Sequence, residues 1–203
     1  MSAPLFTLAD LAARYAARPE ALFDVVEEVI ARLAACDDPA IFISTVAPDD
    51  LRAAARALLD RAPDPASLPL WGVPFAVKDN IDVAGIPTTA ACPAFAFTPE
   101  CDATVVARLK AAGALVVGKT NLDQFATGLN GTRSPYGAPK NAIDPAYVSG
   151  GSSSGSAIAT ARGLAAFALG TDTAGSGRVP AAFNNLVGIK PTPGLVPSTG
   201  VVP

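Results

Sequence analysis

Gly113-Ala114-Leu115-Val116-Val117-Gly118-Lys119-Thr120 is the stretch on which the reading of the fold turns. Letter for letter it satisfies G-x-x-x-x-G-K-[ST], the pattern of a phosphate-cradling loop. Such a loop needs a strand before its first glycine and flexible chain between the two glycines. Here Asp102 to Ala112 precedes Gly113 with a helical pattern, Val105, Val106 and Leu109 on one face and Asp102 as the N-cap. The residues between the glycines are Ala-Leu-Val-Val, which read as a strand themselves. Gly113 is then a helix C-cap, Ala114 to Val117 a strand, Gly118 the turn after it, and Lys119 follows. The eight letters predict helix, cap and strand, and argue against bound nucleotide.

The same alternation continues outward. Val73 to Val77 predicts a buried strand, Ala157 to Leu164 a helix, Phe167 to Leu169 a strand and Leu186 to Ile189 another. This predicts an α/β fold, a sheet with helices on its faces. Residues 1–62 read as a helical layer. Thr7-x-x-Asp10 resembles a capping box, Leu22, Val25, Val26, Val29, Ile30 and Leu33 recur at helical spacing, and Pro48-Asp49-Asp50 starts a third helix. Pro63, Pro65, Ser67 and Pro69 mark a linker over 63–70, and 71–203 carries the alternating pattern. There is no internal repeat.

Composition excludes whole classes of chemistry. The 203 residues are half hydrophobic and 16% charged, with a formal net charge of −3. No basic field points to nucleic acid. There is no histidine, which excludes a Ser-His-Asp triad, a Cys-His pair and any zinc site that needs imidazole. Cys36, Cys92 and Cys101 are an odd number without C-x-x-C spacing, as suits a reducing cytoplasm. The opening Met1-Ser2-Ala3-Pro4 predicts no signal peptide, and no apolar run reaches the roughly 18 residues of a membrane span.

Three segments carry candidate chemistry. Gly150-Gly151-Ser152-Ser153-Ser154-Gly155-Ser156 runs into a helix; it reads either as an anion-binding turn or as plain connection. Gly170-Thr171-Asp172-Thr173-Ala174-Gly175-Ser176-Gly177-Arg178 follows an apolar run, and its small residues leave the Ser176 hydroxyl accessible. The N–H groups of Thr173, Ala174, Gly175 and Ser176 can converge on one oxyanion there; the alternative is a tight strand-to-helix turn with an incidental serine. Lys78 ends the apolar run from Val73, either as a snorkelling lysine or as a desolvated amine of lowered pKa. In a chain without histidine, the second reading supplies the missing base.

Taken together, Gly72-Val73-Pro74-x-x-Val77-Lys78-Asp79, Gly118-Lys119-Thr120-Asn121, Gly150-Gly151-Ser152-Ser153, Gly170-Thr171-Asp172-x-x-Gly175-Ser176 and Gly188-Ile189-Lys190-Pro191-Thr192 resemble the amidase signature family of serine hydrolases. The resemblance covers roughly Pro69 to the last residue. It implies a mixed sheet flanked by helices and a Ser–Ser–Lys triad. Ser176 would be the nucleophile, Ser152 the bridging serine after a cis Gly151–Ser152 peptide, and Lys78 the base acting through Ser152. Thr173, Ala174, Gly175 and Gly128 would contact oxyanion or substrate, no metal or cofactor would be needed, and Gly118-Lys119-Thr120-Asn121 would be structural. Asp172-Thr173-Ala174-Gly175-Ser176 and Gly131-Thr132-Arg133-Ser134-Pro135-Tyr136-Gly137 resemble the allophanate hydrolase branch. The amidotransferases that act on misacylated transfer RNA usually read Asp-Thr-Gly-Gly-Ser in the first of these.

That branch implies hydrolysis of allophanate, with ammonia and carbon dioxide released, and a functional link to a biotin-dependent urea carboxylase. Arg133 or Arg178 would face the substrate carboxylate, with Asp172 as the alternative partner of Arg178. The other expectations are a general amidase, an inactive fragment, and the A-type component of a glutamyl-tRNA amidotransferase. The family core runs to more than twice this length after Lys78, so the fold is expected to be cut short. The N-terminal helices offer a surface for a homodimer.

Overall fold

The computed structural model describes residues 6–203. Three helices come first: α1 (Leu8–Ala17), α2 (Ala21–Ala34) and α3 (Pro48–Arg61). The Thr7 hydroxyl caps α1 by accepting the Asp10 N–H at 3.1 Å, and donates to the Asp10 carboxylate at 2.7 Å. Proline at the first position of α3, with Asp49 and Asp50 behind it, suits a helix start, where no N–H is missed and negative charge meets the dipole.

Between α2 and α3 runs β1 (Phe42–Thr45), a strand that the helical reading of the first 62 residues lacks. It is short and half-buried, and so has neither the alternation nor the apolar run that reveals a strand in sequence. It pairs antiparallel with β3 (Leu115–Thr120). β2 (Pro74–Lys78) lies parallel between β3 and β4 (Phe167–Leu169), giving a mixed sheet in the order β1-β3-β2-β4. Both central strands are wholly buried, the pattern of a sheet covered on each face.

One face packs Ala76, Leu115 and Val117 against α1 to α3 and against Ile158 of α5 (Ser154–Ala161). The other packs Phe75, Val77 and Val116 against Val106 of α4 (Thr104–Ala111). Tyr15 and Trp71 meet edge-on at 5.0 Å, and the Tyr15 hydroxyl donates to the Gly72 carbonyl at 2.9 Å.

Four local expectations are corrected. Asp102 does not cap α4, whose N-cap is Ala103; its carboxylate instead accepts the Ala84 N–H at 2.8 Å and Lys110 Nζ at 2.7 Å. Gly118 is not a turn, and Lys119 does not follow the strand: both lie inside β3. At Gly118 a side chain would meet the Ser44 carbonyl of β1 at 2.7 Å. Leu186 to Ile189 forms no strand; Leu186 is half-buried, and Val187 to Ile189 stand in solvent, with Val187 90% exposed. A helix, α6 (Arg178–Phe183), follows the Ser176 loop, which is thus a strand-to-helix turn, with Pro180 in its first turn, where proline costs no helical hydrogen bond. Gly113 does end α4 as expected: its φ is +98°, and a Cβ there would lie 2.8 Å from Trp71 Cα.

Candidate active site

Lys78 is the last residue of β2, and its side chain has no solvent exposure. Its Nζ donates to Ser152 Oγ at 2.7 Å and to Thr171 Oγ1 at 2.6 Å. Burial pushes the amine down to about 7, although the Asp123 and Asp172 carboxylates favour the ammonium. The side chain does not snorkel to water.

Ser152 lies in the tight loop that opens α5, fully buried, after a cis Gly151–Ser152 peptide. Two neighbours fix that loop: Gly151 N–H donates to the Leu129 carbonyl at 2.8 Å, and the Ser152 carbonyl accepts the Asp123 N–H at 3.1 Å. Gly155, one turn on, lets α5 press against the backbone before β1, for a Cβ there would sit 2.2 Å from the Ile41 carbonyl oxygen.

Ser176 comes from the loop between β4 and α6, and is largely buried. Ser153 sews this loop to the Ser152 loop. Its N–H donates to the Ser176 carbonyl at 3.0 Å, its hydroxyl donates to the Thr171 carbonyl at 3.1 Å, and the same Oγ accepts the Thr171 N–H at 3.3 Å. Ser176 Oγ donates to the Gly128 carbonyl at 3.5 Å, which places Gly128 against it. The structure thus brings Lys78 and Ser152 into direct contact, and joins Ser176 to them through Ser153.

Asp172 organises the Ser176 loop. Its carboxylate accepts N–H groups from Gly175 (2.9 Å), Gly177 (3.1 Å) and Arg178 (3.0 Å), and a two-pronged contact from Arg178 Nε and Nη2, each at 2.9 Å. The Arg178 guanidinium, and then the backbone N–H donors, hold this carboxyl far below the usual carboxylate range. Arg178 therefore pairs with Asp172. The Gly175 N–H, one of the four expected at an oxyanion, is engaged by Asp172. Those of Thr173, Ala174 and Ser176 have no acceptor among the described residues. Arg133 is exposed and donates from Nη1 to the Thr127 carbonyl at 3.2 Å.

Two groups escaped the reading of the sequence. Thr171 lies inside the Gly170–Ser176 motif, yet only folding shows its hydroxyl on Lys78. Asp123 is a buried carboxylate with no periodic signal around it. Lys119 forms a fully buried ion pair with Asp79 at 2.8 Å and donates to Thr88 Oγ1 at 3.0 Å, so the lysine of the phosphate-loop pattern is bound within the fold. Among the described residues no group of His, Cys, Asp or Glu is placed to hold a metal ion, and no helix is long and apolar enough to cross a membrane.

The profile of the family described as Amidase matches residues 24–203. The chain belongs to the amidase family. Among curated relatives of this amidase chain, urea amidolyase of Lachancea kluyveri is 61% identical over 167 residues, 82% of this chain and 9% of the relative. The A subunit of glutamyl-tRNA(Gln) amidotransferase from Symbiobacterium thermophilum is 47% identical over 182 residues, 88% of this chain and 37% of that one. The structure of Kluyveromyces lactis allophanate hydrolase superposes with a TM-score of 0.89 at 48% identity, covering 98% of this chain and 32% of that one. The amidase chain thus spans about a third of the allophanate hydrolase and under a tenth of the urea amidolyase.

Proposed function

We propose that this chain carries the nucleophile and base of a serine amidohydrolase, and that its full-length form hydrolyses allophanate. The observation that carries the reading is a fully buried Lys78 amine 2.7 Å from Ser152 Oγ, on a loop bonded through Ser153 to that of Ser176. Near neutral pH a large fraction of Lys78 is the neutral amine, with a lone pair for a proton. Thr171 Oγ1 accepts one of its N–H groups and orients it. Ser152 gives its proton to Lys78 and takes the proton of Ser176, whose oxygen attacks the amide carbon. The carbonyl oxygen becomes an oxyanion facing the N–H groups of Thr173, Ala174 and Ser176; that of Gly175 joins them if it leaves Asp172. The proton returns along the same path to the leaving nitrogen, the C–N bond breaks, and ammonia departs. Water then attacks the acyl-enzyme with the same base and frees Ser176.

The allophanate assignment is supported by Asp172-Thr173-Ala174-Gly175-Ser176, by the likeness to allophanate hydrolase and by the urea amidolyases. Because Arg178 is held by Asp172, Arg133 is the arginine we assign to the substrate carboxylate. We further propose a functional link to a biotin-dependent urea carboxylase, a homodimer through the N-terminal helices, and a cytoplasmic setting, to which the three unpaired cysteines are suited.

A second reading, the A-type component of a glutamyl-tRNA amidotransferase, has the 47% identity to the Symbiobacterium protein in its favour. Ammonia release by the full-length enzyme, supplied in turn with allophanate, glutamine and a simple amide, separates the two. Allophanate-dependent release that vanishes in Ser176→Ala supports the proposal. Glutamine-dependent release supports the amidotransferase, and release from simple amides alone a general amidase. If Ser176 also takes no label from a serine-directed fluorophosphonate, the chemistry itself is refuted.

A further inference from the structure

Asp123 does more than fill the core beneath the site. It is fully buried, in the loop that follows β3, and makes no ion pair among the described residues. Its carboxylate accepts the Gly131 N–H at 3.0 Å and the Arg133 N–H at 2.8 Å, and so closes the turn from 128 to 133. Its own N–H holds the Ser152 carbonyl. A Cβ on Gly128 or Gly151 would lie 2.6 or 2.3 Å from its Oδ2, so the carboxylate is wedged between the turn that touches Ser176 and the peptide that carries Ser152. The same two segments are tied directly, Gly151 N–H to the Leu129 carbonyl.

We infer that Asp123 is a positioning residue for both serines: one carboxylate sets the Gly128 carbonyl against Ser176 and the Ser152 hydroxyl against Lys78, and supplies negative charge to the site. The inference rests on the proposed roles of Lys78, Ser152 and Ser176. The charge matters because few others face Lys78. Asp79, the residue after its strand, is paired with Lys119 of β3, and from the Ser176 loop Asp172 is paired with Arg178. Asp123 is the carboxylate whose field on Lys78 no cation of the described residues offsets.

The test is the rate of fluorophosphonate labelling at Ser176 as a function of pH, which needs no substrate. Asp123→Asn keeps the shape and removes the charge. The labelling rate should fall about 10- to 100-fold, as for reacting groups misplaced by up to about 1 Å. The pH of half-maximal rate should also move down, because Lys78 loses a carboxylate that favours its ammonium. Asp123→Glu keeps the charge and displaces the oxygens; it should slow labelling without that shift, and it carries the test if Asp123→Asn does not fold by circular dichroism. Asp38→Asn is the control. Asp38 is also buried and takes two backbone N–H groups, from Ala40 and Lys140. Its loss should lower stability and leave the profile unmoved. Wild-type rate and profile in a folded Asp123 variant overturn the inference, as does failure of both variants to fold. Absence of labelling in the wild type refutes the proposed chemistry instead, and the inference with it.

Discussion

Lys78 and Lys119 lie one rung apart on paired strands, both without solvent exposure, and point to opposite faces of the sheet. Val77 is the partner of Lys119, and Lys78 of Thr120. The pairing of β2 with β3 skips Val117, and that bulge resets the alternation so that Lys119 turns towards Asp79. One lysine is thereby neutralised by a carboxylate. The other donates to the hydroxyls of Ser152 and Thr171, and burial lowers its pKa to about 7.

Lys119→Met should destabilise the protein by about 3–5 kcal/mol, the cost of leaving a buried carboxylate unpaired. Denaturant unfolding measures this. ATP with magnesium should leave the Tm of the wild type unchanged. A nucleotide-dependent rise that Lys119→Met abolishes would restore the phosphate-loop reading.

The rate of fluorophosphonate labelling should rise with pH through about 7, as Lys78 loses its proton. The same shift acts on stability. The folded pKa lies below the ordinary 10.5, so the unfolded chain binds more protons between about 7 and 10.5, and stability increases with pH across that window. Lys78→Met should flatten that part of the Tm–pH curve and abolish labelling at neutral pH. A curve with the wild-type slope in this variant would assign the titration to another group.

Ser152→Ala should lower the labelling rate by about 10²–10⁴-fold, the range for loss of an acid–base group. The change removes one small buried hydroxyl, so the Tm should remain within a few degrees of the wild type. Labelling at the wild-type rate would remove Ser152 from the proton path.

Arg133→Ala in the full-length enzyme should raise KM for allophanate and leave a neutral amide almost unaffected. Arg178→Lys should lower kcat for both, because an ammonium cannot reproduce the two-pronged contact that holds Asp172 and, with it, the Ser176 loop. Equal effects of both variants on both amides would dismiss Arg133 as the carboxylate contact.

Much of the scaffold was legible because burial writes itself into periodicity. The spacing of Leu22, Val25, Val26 and Val29 is α2, and the apolar runs ending at Val77 and Val117 are the two central strands. What escaped was decided by partners distant in sequence. β1 is a strand because β3 lies beside it. Asp102 looks like an N-cap until Lys110 and the Ala84 N–H claim its oxygens. Leu186 to Ile189 has the composition of a strand, but nothing among the described residues pairs with it as one. At the site, the motifs named the lysine and both serines. The hydroxyl of Thr171 and the carboxylate of Asp123 could not be read, since their roles depend on where a carbonyl and an amine come to rest. The use of Gly175's N–H by Asp172 was hidden in the same way.

Ser153 gives the site a mechanical character. Its three bonds to Thr171 and Ser176 clasp the loop that opens α5 to the loop that follows β4, so displacing one strains the bonds to the other. A group that enters over Ser176 and pushes its loop aside also pulls on the peptide next to Ser152, and hence on the hydroxyl that Lys78 holds. On the proposed roles of Lys78, Ser152 and Ser176, docking of the reactant and readiness of the base become one displacement seen from its two ends.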